Sequence, residues 1–263
     1  YRKVYFQDII NIELAKLTPE IVQKSVNAMA ASKSPKTIKN AHGLLSATLK
    51  EYHPDFILHT KLPQATKTMM TIPDDDDVVR LLQAAQGTYK EAIIILGACV
   101  GLRRSEMCAL TTEDIDTEKN TISVNKAMVI SPDEKWVVKG TKSFAGTRVI
   151  EVESVVAKRV QELADESGRI IPVSPRAVTK AFSSLRKSIG VSFRLHDLRH
   201  YSASVMLALG IPDKYAMDRM GHATPHMLKN VYQHLMANKQ KEVSELVNDH
   251  SKKIMQHVLQ HDN

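Results

Sequence analysis

Helical spacing of apolar residues carries this 263-residue chain until residues 58–72, where it fails and Pro63, a polar stretch and Pro73 take its place. A gap of that composition is an extended linker, so the chain is predicted to fold as two unequal domains, residues 1–66 and residues 67–263. Ahead of the gap Ile9, Ile12, Leu17, Ile21, Val26 and Met29, then Ile38, Ala41, Leu44, Leu45 and Leu49, recur at helical intervals and predict a small bundle. Thr18 before Pro19 and Ser34 before Pro35 mark two helix starts. A hydroxyl there caps free N–H groups, and proline at the first helical position gives up an N–H that has no partner anyway.

Behind the gap Asp74, Asp75, Asp76 and Asp77 run into Val78, Val79, Leu81 and Leu82. Carboxylates interact favourably with the positive end of a helix dipole, and the further oxygen ligands of a hard cation are not supplied locally, so this is read as a helix start and not a metal site. Residues 89–100 are apolar nearly all round and predict a helix buried on every side, ending at Gly101. Ile122, Val124, Met128 and Ile130 then alternate with polar residues, and 136–138 and 148–152 read as further strands around a Gly-containing turn. Helical spacing returns at 155–163, 174–189, 197–209, 213–220 and 224–235, followed by an amphipathic tail over 240–259. The fold expected is mainly α with one small antiparallel β-sheet.

Charge narrows the partner. Lys and Arg outnumber Asp and Glu by 36 to 29, and nine cationic against five anionic side chains fall within residues 1–66. A basic surface favours a polyanion, with Lys33, Lys36 and Lys39 as candidate phosphate contacts. The lack of a long uncharged apolar run argues against a membrane span. Cys99 and Cys108, each inside an apolar helical stretch, read as small core residues and not a disulfide, which fits a reducing cytoplasm. The chain opens Tyr1-Arg2-Lys3 without Met, so residues removed upstream are an expectation.

Chemistry concentrates in a few short segments. In Gly101-Leu102-Arg103-Arg104-Ser105-Glu106 a buried helix breaks at glycine and another begins, a junction where an arginine can face an anion. In His196-Asp197-Leu198-Arg199-His200 the spacing of three and four puts His196, Arg199 and His200 on one helix face, so a proton-transfer group and a phosphate fork lie together. Gly221-His222 opens a later helix, and ten residues on comes Tyr232.

Arginine, then HDLRH, GH and Tyr in that order resemble the box sequence of tyrosine recombinases, the integrases of phages and conjugative elements. The turn at 142–148 is similar to the hairpin that carries the family's lysine, and the resemblance runs from about residue 8 to Tyr232. It implies a helical core-DNA-binding domain joined to a catalytic domain. Arg103 and Arg199 would hold the non-bridging oxygens of a scissile phosphate, and Tyr232 would be the nucleophile. A free phenol has a pKa of about 10, so it needs a proton acceptor, which His196 resembles. Lys142 would protonate the departing 5'-oxygen, with Lys139 as the alternative. His222 would donate to the phosphate, and Glu106 would brace the cluster from behind; Arg104 and His200 are left structural. The implied partner is duplex DNA, bound by a homotetramer with an accessory directionality factor, and no cofactor is expected. The family usually carries an arm-DNA-binding domain ahead of the core domain, which these residues lack. The tail packs either on a neighbouring protomer or on its own domain.

Rival readings are weighed on the same residues. His196/His200 and His222/His226 are i,i+4 pairs able to serve a metallohydrolase, yet neither has the HExxH glutamate and that reading leaves Arg103, Arg199 and Tyr232 idle. A non-catalytic basic helical DNA-binding protein would bind reversibly. A type IB topoisomerase or a resolvase would share the recombinase's chemistry.

Overall fold

A computed structural model describes residues 5–64, 71–141, 146–221 and Asn248, and divides the chain into two compact units, Tyr1–Thr68 and Met69–Asn263. In the first unit α1 (Pro19–Ala30) and α2 (Pro35–Tyr52) pack together over Ile9, Leu17, Val22 and Leu49. Both helices start as their sequences require: Thr18 accepts from the Ile21 N–H at 3.4 Å and Ser34 from that of Thr37 at 3.2 Å, with proline in the first turn of each. The stretch 58–64 forms neither helix nor strand and is tied to α1, where the Gln23 side chain both donates to the Lys61 carbonyl at 3.1 Å and accepts from its N–H at 2.8 Å.

The second unit opens with α3 (Asp75–Ala85), capped by Asp74, whose carboxylate accepts from the Asp77 N–H at 2.8 Å. Then comes α4 (Tyr89–Ile94), which widens into a π-turn over Ile95–Cys99 before a short α5 (Arg104–Met107). Three strands, β1 (Ile115–Asp116), β2 (Thr121–Val124) and, after the hairpin β3 (Lys126–Ile130) and β4 (Trp136–Gly140), β5 (Arg148–Glu151), complete the β structure. Helices α6 (Ser154–Glu162), α7 (Pro175–Ser188), α8 (Leu195–Ala208) and α9 (Asp213–Met220) follow. The mainly α class with small antiparallel β structure holds.

Two expectations are corrected. The strands form two sheets and not one: β1–β2–β5, with Ile122 opposite both Ile115 and Ile150, and the separate pair β3–β4. Asn125 between β2 and β3 is where the ladder divides, its carbonyl accepting from Thr141 at the far end of β4 at 2.9 Å. Cys99 is exposed while Cys108 is buried, because the π-turn inserts a residue and rotates the end of the helix out of its core-facing phase.

The π-turn also places α8. A Cβ on Gly97 would stand 3.1 Å from Leu198 Cβ, so α8 lies nearly backbone-close against it. Gly101 then turns the chain with φ +79°, and a side chain there would meet Met220 Sδ at 2.7 Å. The glycine of the GLRRSE segment is therefore required twice, by backbone conformation and by space. The core around these elements is built from Ile93, Ile94, Leu96, Leu102, Ile122, Ile150 and Leu198. Among the described residues no helix is long and apolar enough to cross a membrane.

Candidate active site

Glu106 is the node of the site. It is buried, yet its carboxylate accepts from Arg103 Nη1 at 2.7 Å and from the Arg103 backbone N–H at 2.9 Å, closing the first turn of α5. On its other side Arg148, almost fully buried on β5, donates through Nη2 at 2.9 Å and Nη1 at 3.3 Å. Burial pushes the Glu106 carboxyl up, but the hydrogen bonds and charge of Arg148, then the Arg103 contacts, outweigh it and hold the group below its ordinary range. One anion thus fixes two guanidinium groups.

Arg199, on α8, is 1% exposed. Its two terminal nitrogens donate to the carbonyls of Gly101 and Met220, and its Nε finds no partner among the described residues. Burial first, then the nearby Arg103 charge, lowers it to about 9, so it is still a cation at neutral pH.

The end of α9 is held in an unusual way. Arg148 Nε donates to the Arg219 carbonyl at 2.8 Å, Arg199 donates to that of Met220, and Arg103 Nη2 to that of Gly221. Three arginines, one at the N-cap of α5, one on β5 and one on α8, therefore take three consecutive carbonyls at a helix C-terminus, where carbonyls lack helical partners and the dipole is negative. Gly221, at φ 64°, turns the chain out of α9 directly after them.

His196 shares a cleft with Arg103, Arg104, Thr179 and Arg194, and its ring meets that of His200 edge-on at 4.8 Å between centroids. Burial, followed by the Arg199 charge, lowers the His196 pKa, so its neutral, proton-accepting form persists below the usual histidine range. Behind it Asp197 is buried and caps α8, accepting from the Arg194 N–H at 2.7 Å.

His200 is lowered to about 4, by burial first and then by His196. Between that value and the ordinary 6.5, the unfolded chain binds a proton that the folded chain does not. Stability from this group is thus full above about pH 6.5 and falls as the pH drops towards 4. His200→Phe, which removes the titrating nitrogen, is expected to show a smaller drop in melting temperature between pH 7.5 and 5 than wild type; equal drops would contradict this.

Of the sequence-predicted site residues, Arg103, Glu106, His196 and Arg199 come together in the second unit. Lys142, His222 and Tyr232, with His226 and the amphipathic tail, lie outside the described residues. Lys139 is exposed on β4, and Lys33, Lys36 and Lys39 are exposed at the start of α2 and in the turn before it. Arg104 donates to Thr179 Oγ1 at 2.6 Å. No group of three or more His, Cys, Asp or Glu positioned to hold a metal occurs among the described residues. Arg148 is not singled out by the sequence, because Val149 and Ile150 beside it are both apolar; the structure puts Arg148 on the side of buried Ile150, with Val149 between them 65% exposed.

A family model described as the phage integrase family matches residues 73–239. The tyrosine recombinase XerA of Pyrococcus horikoshii is 26% identical over 168 residues, which cover 62% of this chain and 56% of that protein. The chain therefore spans little more than half the length of that relative. A putative prophage phiRv2 integrase of Mycobacterium tuberculosis is 24% identical over 272 residues, covering 94% of this chain and 72% of the relative. Among solved structures, the Tn1549 transposon integrase in complex with transposon right end DNA superposes with a TM-score of 0.71 at 19% identity, covering 87% of this chain and 86% of that one. A lambda integrase tetramer bound to a Holliday junction superposes with a TM-score of 0.59 at 18% identity, covering 83% and 65%. At such identities the superpositions speak for the fold.

Proposed function

Because this chain belongs to the phage integrase family, the tyrosine recombinases, we propose that it cuts and rejoins duplex DNA at a specific site through a 3'-phosphotyrosine formed on Tyr232. The observation that carries the reading is the arginine pair: Arg199 is buried with an Nε–H that has no partner among the described residues, and Arg103 stands close enough to shift its titration. The Arg103 side chain stays 37% accessible beside the buried Arg199 charge, and such a paired guanidinium cluster suits an anionic oxygen delivered by a substrate.

In this mechanism Arg103 and Arg199 hold the non-bridging oxygens and neutralise charge as the phosphorus becomes five-coordinate. The Tyr232 oxygen attacks, its proton passing to His196, whose lowered pKa keeps it neutral and ready to accept. The bond from phosphorus to the 5'-oxygen breaks, and Lys142, or Lys139 in its place, supplies the proton that the leaving oxygen takes. His222 donates to the phosphate. Because the phosphodiester bond energy is kept in the phosphotyrosine, attack by a freed 5'-hydroxyl reverses the steps and joins strands without ATP.

The partner proposed is duplex DNA, gripped by a homotetramer, with a directionality factor as accessory and integration or excision of a mobile element as the outcome. Lys33, Lys36 and Lys39 serve as backbone contacts in the helical first unit, read as the core-DNA-binding domain. In the second unit Arg104, Arg176 and Lys180 line one cleft with Trp136, a cationic wall with a flat aromatic that suits the same polyanion. The protein acts in the cytoplasm in this reading.

A linear duplex and a supercoiled plasmid, each carrying a candidate site taken from DNA flanking the encoding gene, are incubated with protein in EDTA and without ATP. Recombinant strands from both duplexes are expected. Relaxation of supercoiled DNA without exchange would make the chain a topoisomerase, and binding without cleavage would make it a DNA-binding protein only.

A further inference from the structure

Arg148 takes no part in the mechanism above, yet its guanidinium is the most fully shared in the site. Its terminal nitrogens grip both Glu106 oxygens at 2.9 and 3.3 Å, while its Nε holds the Arg219 carbonyl at 2.8 Å. A guanidinium is planar and rigid, so these contacts fix the Glu106 carboxylate relative to the end of α9. Glu106 in turn holds Arg103, and Arg103 holds the Gly221 carbonyl, two residues beyond Arg219. The contacts close a ring: Arg103, Glu106, Arg148, Arg219, Gly221 and back to Arg103. The ring is doubled, because the Arg219 side chain donates to the Glu151 carbonyl at 2.8 Å on β5, the strand that carries Arg148.

We propose that Arg148 is a positioning residue for DNA cleavage, setting through Glu106 the direction of Arg103 and, through the Arg219 carbonyl, the turn of the chain out of α9 at Gly221. This rests on the recombinase reading, since it assigns Arg148 to the aim of the phosphate-binding arginine. An ordinary buried ion pair would hold the fold alone. Arg148 acts differently because its ring passes through a half-exposed guanidinium, Arg103, with a side chain 37% accessible.

The test compares wild type and Arg148→Met in single-turnover covalent complex formation on two suicide duplexes, one with a normal scissile phosphate and one with a methylphosphonate there. A misdirected group costs on the order of 10²-fold in rate, so that loss is expected on the phosphate, with DNA affinity unchanged. The methylphosphonate replaces one charged oxygen by a methyl group, so it depends far less on an arginine to neutralise it, and the deficit should largely disappear. An equal deficit on both substrates, or no deficit on either, overturns the proposal while leaving the recombinase reading intact. If wild type forms no adduct on either duplex, both fall together. Thermal melting accompanies each variant; should Arg148→Met fail to fold, Arg148→Lys, whose single ammonium can hold Glu106 or the Arg219 carbonyl but not both, undergoes the same comparison with the same outcomes decisive.

Discussion

Arg199→Lys is expected to slow covalent complex formation by about 10²–10³-fold, the usual consequence of removing a donor that stabilises transition-state charge. Lysine keeps the charge, so the loss isolates geometry. Arg199 spreads two nitrogens to the Gly101 and Met220 carbonyls and still has Nε free among the described residues, and one ammonium cannot reproduce that fork. The shorter reach of the substitute also leaves a carbonyl without its donor, at about 1–3 kcal/mol. In a chain of this size each kcal/mol moves the melting temperature by roughly 2–4 °C, so a loss of several degrees accompanies the slower cleavage. Adduct formation followed on denaturing gels, with a melting curve on the same preparation, checks both parts. Wild-type cleavage by the lysine variant would remove Arg199 from the phosphate site.

Much of the fold was legible because it depends on local rules. Thr18-Pro19, Ser34-Pro35 and the four aspartates announce helix starts through capping and dipole chemistry, and the structure begins α1, α2 and α3 there. What the sequence hid was non-local. Alternation shows that Ile122 and Met128 belong to strands but not that the ladder divides at Asn125, since pairing is chosen by distant partners. The π-turn, which exposes Cys99 and lets α8 approach Gly97, leaves no periodic mark in so short an apolar run.

The site divides along the same line. His196 and Arg199 follow from spacing, because i,i+3 and i,i+4 positions share a helix face, whereas Arg103 rests on the glycine break ahead of a new helix and Glu106 on the family resemblance alone. Arg148 carries no local signal, because its partners, Glu106 and the Arg219 carbonyl, lie 42 and 71 residues away. The capture of three successive α9 carbonyls by three arginines was equally out of reach, since backbone acceptors leave no trace in side-chain patterns.

The second large effect concerns the nucleophile. Removing one hydroxyl from Tyr232 takes away the atom that would bond to phosphorus, and no rearrangement of the arginines can replace it. The fold should be untouched, and DNA affinity with it. The direct measurement is therefore a suicide duplex, nicked near the cut, incubated with wild type and with Tyr232→Phe and resolved under denaturing conditions. A protein–DNA adduct with wild type and none with the phenylalanine variant is the predicted result; an adduct that survives in Tyr232→Phe would place the covalent bond on another side chain and contradict the account.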